Sequence, residues 1–152
     1  MGIAIKSTSH GTSRYALIGL SLTMLMPSLA TSTANVALPD LARSFAASFQ
    51  AVQWIVISYL LTITALIVAV GRLGDIVGRR RLLLVGTAVF AMGSLASGVS
   101  SSLESLIAAR VVQGSGAAIM MALTMAMVSA VVPPNRTGSA IGLLGTMSAV
   151  GT

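Results

Sequence analysis

The spacing of charge constrains this chain most. Its 152 residues include nine basic and three acidic ones, and long uncharged runs lie between them. The runs at 15–39, 44–71, 82–103 and 111–135 each exceed the roughly 20 residues that a helix needs to cross the hydrocarbon of a bilayer. A last run at 137–152 is shorter than one crossing. With 55% apolar residues and a mean hydropathy of +0.95, the chain carries more hydrocarbon than one small soluble core can hide. The expected fold class is an all-α integral membrane protein. Spans are expected at about 15–39, 50–71, 82–100, 103–131 and 137–152, after a tail at 1–14. Turn-forming stretches, "NVALPDLARSFAAS", "SGVSSSLES" and "PPNRTGS", separate several of them. The last span stops incomplete, as expected of a fragment that ends inside a helix. Lys6 and Arg14 ahead of "PSLA" share features with a secretory signal, but the apolar run continues past Ala30, too long for one, so a retained helix is expected.

Charge also excludes classes of function. The net charge is +6, yet only 4% of residues are aromatic and the basic residues sit between apolar runs, not along one polar face; no nucleic-acid partner is expected. There is no Cys, and the only His is His10 in the polar tail. No catalytic residue, metal site or cofactor is therefore expected, and the chain does not read as an enzyme. Lys6, Arg14, Arg72, Arg79, Arg80, Arg81 and Arg136 would share one side of the membrane, opposite Asp40, Arg43 and Glu104. The bias of basic residues toward the cytoplasm puts the N-terminus there.

The stretch "GRLGDIVGRRR" at 71–81 holds more than a topology anchor needs. Gly71, Gly74 and Gly78 permit tight turning or close helix approach. Asp75 weakens the positive field around it, so it calls for a defined partner, either a guanidinium or a helix N-terminus. The stretch resembles the loop between the second and third helices of the major facilitator superfamily. Gly71, Leu73, Gly74, Asp75, Gly78, Arg79 and Arg80 match that pattern, and Ile76 departs where a basic residue is common. The resemblance implies a conformational latch made by Gly71, Arg72, Gly74, Asp75, Gly78, Arg79 and Arg80. In it the aspartate is directed at a helix of a C-terminal half outside this chain.

In "LIAARVVQGSGAA", Arg110 lies seven residues, about 10 Å, inside the outer end at Leu103. A buried arginine costs about 2.5 to 3.5 kcal/mol even on insertion scales, which argues for a polar cavity around it. Gln113 falls on the same face, while Gly114 and Gly116 allow close helix packing. Depth arithmetic puts Thr31 and Ser58 or Tyr59 at its level. "RVVQGSGAA" is similar to the fourth-helix motif of proton-coupled facilitators, whose arginine takes part in proton or substrate coupling. "LATSTANVALP" resembles a first-helix segment of the fourteen-helix drug:proton antiporter branch, matching at residues 35–39, but Ala30 stands at its acidic position. Asp40, Asp75 and Glu104 all lie outside the hydrocarbon, so no intramembrane carboxylate of this chain can pair with Arg110 or carry a proton. The residues leave its partner open among Thr31, Asn35, Ser58, Tyr59, backbone carbonyls, an anionic substrate group and an acid of the absent half. The final run resembles the start of the family's fifth helix, with Gly142 and Gly145 as further packing positions.

The resemblance implies the N-terminal helices 1 to 5 of a major facilitator fold, the fifth incomplete. It implies part of a secondary active transporter of a bacterial cytoplasmic membrane, effecting proton-coupled efflux of drug-like or other small molecules by alternating access. The expected partners are the lipid bilayer, a small-molecule substrate, protons, and either the missing C-terminal half or a second copy. Two alternatives stand beside it: a non-transporting membrane module that associates with a full-length relative, and a small self-dimerising exporter. Exporters of the second kind need an intramembrane acid, which this chain lacks.

Overall fold

The computed structural model describes residues 10–131, together with residues 142 and 146. In lipid every backbone polar group must be satisfied within its own segment, so long apolar runs become helices. Four are described along residues 10–131: α1 (His10–Ser44), α2 (Phe49–Val77), α3 (Arg79–Gly98) and α4 (Leu103–Val131). Among the described residues, α2, α3 and the Leu103–Met127 part of α4 are long and apolar enough to cross a membrane. α1 is one continuous helix whose apolar character is broken by Ser28, Thr31, Ser32, Thr33 and Asn35, with two internal prolines, Pro27 and Pro39. The fifth run at 137–152, Gly145 included, lies outside the described residues apart from Gly142 and Thr146.

The connections are short and capped. Between α1 and α2 the chain turns through Ala46 at φ +46, and Ser48 caps α2 by accepting from the Ala51 N–H at 3.2 Å. α2 and α3 are separated by Gly78 alone, whose φ of +97 is open to glycine and strained for any other residue. Ahead of α4, Ser102 and Ser105 cap each other reciprocally: each hydroxyl accepts the other's backbone N–H at 3.2 Å. Hydroxyls along the helices donate back to carbonyls one turn earlier, as Thr62 does to Ser58 at 2.7 Å and Ser97 to Gly93 at 2.8 Å. Such bonds let an apolar environment accept these polar side chains.

α4 is the central element, packed extensively along α2 and α3 and less along α1. At its outer end Leu106 joins Leu38, Val52 and Ile55; at mid-depth Ala117 and Met120 meet Tyr59, Ile63 and Phe90; at the inner end Leu123 meets Val70 and Leu82. Large side chains such as Val36, Leu95 and Ile76 point outward, 72% or more exposed. Apolar surface on this scale suits a lipid environment and would aggregate in water.

Candidate functional site

Polar contacts in the outer half of the bundle converge on Arg110. Its Nη1–H donates to the Gln113 Oε1 at 2.9 Å and to the Ala30 carbonyl of α1 at 3.3 Å. The side chain is thus directed inward along α4, away from the outer interface. Gln113 is 5% exposed, and its Nε2–H donates to the Ser94 Oγ of α3 at 2.8 Å. That bond fixes the amide and turns its oxygen toward the guanidinium. The Arg110 Cζ lies 6.0 Å from the Tyr59 ring centroid, at the edge of cation–π range. Tyr59, buried on α2, donates its hydroxyl to the Pro27 carbonyl at 3.1 Å, an oxygen that also accepts from Thr31 at 3.1 Å. The buried Nε of Arg110 has no partner among the described residues. Beside it is a cavity of about 280 Å³ lined by polar and apolar groups, among them Thr33, Ser94, Ser97, Arg110 and Gln113.

Not every expected member comes together here. Ser58 is buried, but its hydroxyl bonds within α2 to the Ile55 carbonyl at 3.4 Å. Asn35 is exposed, two residues and so about 200° around α1 from the cavity-lining Thr33. Thr31 reaches Pro27, not Arg110.

The 71–81 stretch is helical up to Val77 and reverses at Gly78. Asp75 Oδ1 accepts from Arg79 Nη2 at 2.9 Å and from Nε at 3.3 Å, while Nη1 donates to the Ala126 carbonyl of α4 at 2.9 Å. Arg79 therefore ties the end of α2 and the start of α3 to α4. Gly74 is buried where a Cβ would strike the Leu123 side chain, whereas Gly71 and Gly78 face open space. Arg72 and Arg80 are exposed.

Glycines decide how closely α4 approaches its neighbours. A Cβ at Gly114 would come within 2.8 Å of the Tyr59 carbonyl and 3.1 Å of Thr62 Cβ, both on α2. At Gly116 it would strike the Phe90 backbone and come within 2.7 Å of the Gly86 carbonyl, both on α3. Gly142 faces open space.

Comparison with known proteins bears on the whole arrangement. The model of the Major Facilitator Superfamily matches residues 20–152. The chain belongs to that superfamily. A riboflavin transporter of Clostridioides difficile is 37% identical over 135 residues, covering 89% of this chain and 30% of the relative. The multidrug resistance protein Stp of Mycobacterium tuberculosis is 39% identical over 142 residues, covering 93% and 26%. A cephamycin export protein of Amycolatopsis lactamdurans is 42% identical over 125 residues, covering 78% and 26%. The chain thus spans between a quarter and a third of the length of these relatives. It is a multi-pass membrane protein of a transporter superfamily, not an enzyme.

Three residues around this candidate site carry weight that the sequence did not reveal. Gly86 and Gly93 of α3 both abut α4: a Cβ at Gly86 would strike Ile119, and one at Gly93 would reach the Gln113 backbone within 2.6 Å. Their spacing of seven, two helical turns, is the signal that could have found them. Ser94, which orients Gln113, had no such signal, because serines recur along α3.

Proposed function

We propose that this chain contributes the N-terminal helices of a secondary transporter that exports small molecules by alternating access. Superfamily membership and the named activities of the relatives, multidrug resistance and cephamycin export among them, support export. The observation that carries the site is a guanidinium about 10 Å inside the outer end of α4, held by neutral partners from α1 and α4 beside a polar cavity. A charge kept inside a membrane at such cost marks a substrate or ion pathway. In this reading Arg110, Gln113 and Tyr59 face the pathway, and Thr31 supports Tyr59 through the shared Pro27 carbonyl. Asn35 and Ser58 are positions on α1 and α2 flanking it. The segment from Gly71 through Arg80 acts as the latch, with Arg79 and Asp75 as its ion pair. Two halves rocking about a midplane site are the general device of such transporters, so the rest of the first half and a second half complete the machine. Export is driven by protons, and the carboxylate that carries them comes from that second half, since Ala30 supplies none. The membrane is a bacterial cytoplasmic one, with the N-terminus inside, as the basic residues favour.

The test is uptake of a lipophilic dye into everted vesicles under an imposed proton gradient. The chain is expressed alone, and together with the part of the cephamycin exporter that follows the segment it matches. Gradient-dependent uptake only in the combination, at least tenfold lower in Arg110→Gln, is the expected result. Uptake by the chain alone would replace the missing half with a second copy. No uptake in either form, with both halves present in the membrane, would sink the transport reading.

A further inference from the structure

The cavity beside Arg110 does not end there. It adjoins an apolar groove of about 490 Å³ between α1 and α3, and Met26, Phe90 and Ser94 line both. Apart from small hydroxyls the groove is hydrocarbon, with Leu22, Met26 and Leu95 half exposed or more at its rim. Pockets that take small molecules commonly have this make-up, a large apolar wall with a few fixed polar groups at one end.

The polar end is cationic and without a counter-charge from this chain. Its acids are Asp40, Asp75 and Glu104. Asp40 lies within 3.6 Å of Arg43 and Asp75 within 2.9 Å of Arg79, both at the helix ends. Glu104 is exposed in the first turn of α4. The acceptors that reach Arg110 are neutral, and its buried Nε takes none among the described residues. Gln113 cannot turn its amide to replace a charge, because Ser94 holds it. A guanidinium carries five N–H donors, and a carboxylate or sulfonate can engage two of them in parallel.

Resting on the transport reading of this site, we infer that its cargo is a lipophilic organic anion. The carboxylate or sulfonate head sits on Arg110, and the apolar body lies along Met26, Phe90 and Leu95. A freely diffusing anion fits better than a bilayer lipid. Arg110 lies about 10 Å below the outer end of α4, so a phosphate headgroup would have to leave its own plane to reach it.

Trp54, the only tryptophan, provides the measurement. The purified full chain, in neutral detergent, is titrated with pyrenebutanoate and separately with pyrenebutanamide, and energy transfer from Trp54 to pyrene is followed. The acid is expected to bind at least tenfold more tightly than the amide, as befits a charge-assisted bidentate contact. Arg110→Gln should abolish that preference, and Arg110→Lys should retain part of it. Ala91→Phe, which fills the groove wall and adds no second tryptophan, should weaken acid and amide alike. Equal binding of acid and amide to the wild-type chain would overturn the inference, as would a preference that survives Arg110→Gln. Displacement of pyrenebutanoate by stoichiometric phosphatidylglycerol, but not by phosphatidylcholine, would assign the site to a lipid headgroup and overturn it too. Should Arg110→Gln fail to fold, competition by decanoate and not by decanamide decides the matter in the wild type. Acid preference without gradient-driven transport would refute the transport reading alone. Transport of neutral compounds with no acid preference would refute this inference alone.

Discussion

The two sides of α4 are built differently. Toward α2 and α3 it is joined by glycines: Gly114 lies on the α2 backbone at Tyr59, Gly116 on the α3 backbone at Phe90, and Gly86 and Gly93 approach from the opposite side. Toward α1 it is joined by tethers: Arg110 to the Ala30 carbonyl at 3.3 Å, and Thr124 to the Thr23 hydroxyl at 3.0 Å. Tyr59 adds a third, from α2 to Pro27. Close glycine packing gains dispersion along a whole helix and leaves no second arrangement of similar energy. Hydrogen bonds to hydroxyls and carbonyls are few and each worth little, so they can be exchanged. The contrast leads to the expectation that α3 and α4, with α2 against them, move as one unit. α1, packed through Leu20, Met24 and Leu38 but without glycine contacts among the described residues, is then the more easily displaced, beside cavities of about 490 and 280 Å³.

The sharpest way to break the contrast is Gly116→Leu. Its side chain would collide with backbone at Phe90 and Gly86, which cannot move aside without parting α3 from α4. A loss of about 3 kcal/mol or more is expected, read as the midpoint of unfolding in dodecyl sulfate. A variant as stable as the wild type would show that the seam is not rigid. Gly114→Ala is the milder form, with an expected cost of about 1 to 2 kcal/mol. Because a main-chain carbonyl, that of Tyr59, stands in the way, trimming Thr62 to Ala should not rescue it.

Tyr59→Phe tests the tethered side. It removes one donor from Pro27, whose carbonyl keeps the Thr31 bond, so about 1 kcal/mol or less is expected. The informative readout is amide exchange: protection should fall in α1 and stay unchanged in α3. Equal loss in both would mean that α1 belongs to the rigid unit. The smallest effect on stability belongs to Asp75→Asn. This pair is exposed, 65% at Asp75 and 40% at Arg79, and such pairs contribute under about 1 kcal/mol, less in high salt. If the latch reading is right, transport should nevertheless fall at least tenfold; transport at the wild-type rate would remove Asp75 from the latch.

Some of the site was legible before any coordinates. Arg110 stood out because charge inside an apolar run is costly, and Gln113 followed from its i+3 spacing. The absence of a carboxylate partner was read from three acids at the ends of the runs. Asn35 shows where such reasoning stops: matching a family segment says nothing of which way a side chain turns, and here it lies about 200° from the cavity-lining Thr33.

The sequence by itself determined that the chain is helical and lives in lipid, which superfamily it belongs to, and that Arg110 has no acidic partner within its own spans. These follow from composition, run length and motif spacing, which need no neighbour to be defined. Tertiary structure decided which neighbour each position meets. Gly114 and Gly116 read as one small-residue motif, yet two residues on a helix point about 200° apart, so one receives α2 and the other α3. The crossing of α1 over α4 made the Ala30 carbonyl the partner of Arg110, and the placement of α3 gave Ser94 the task of aiming Gln113. Such choices depend on helix rotation and crossing, which are set by the sum of many contacts that no single segment contains.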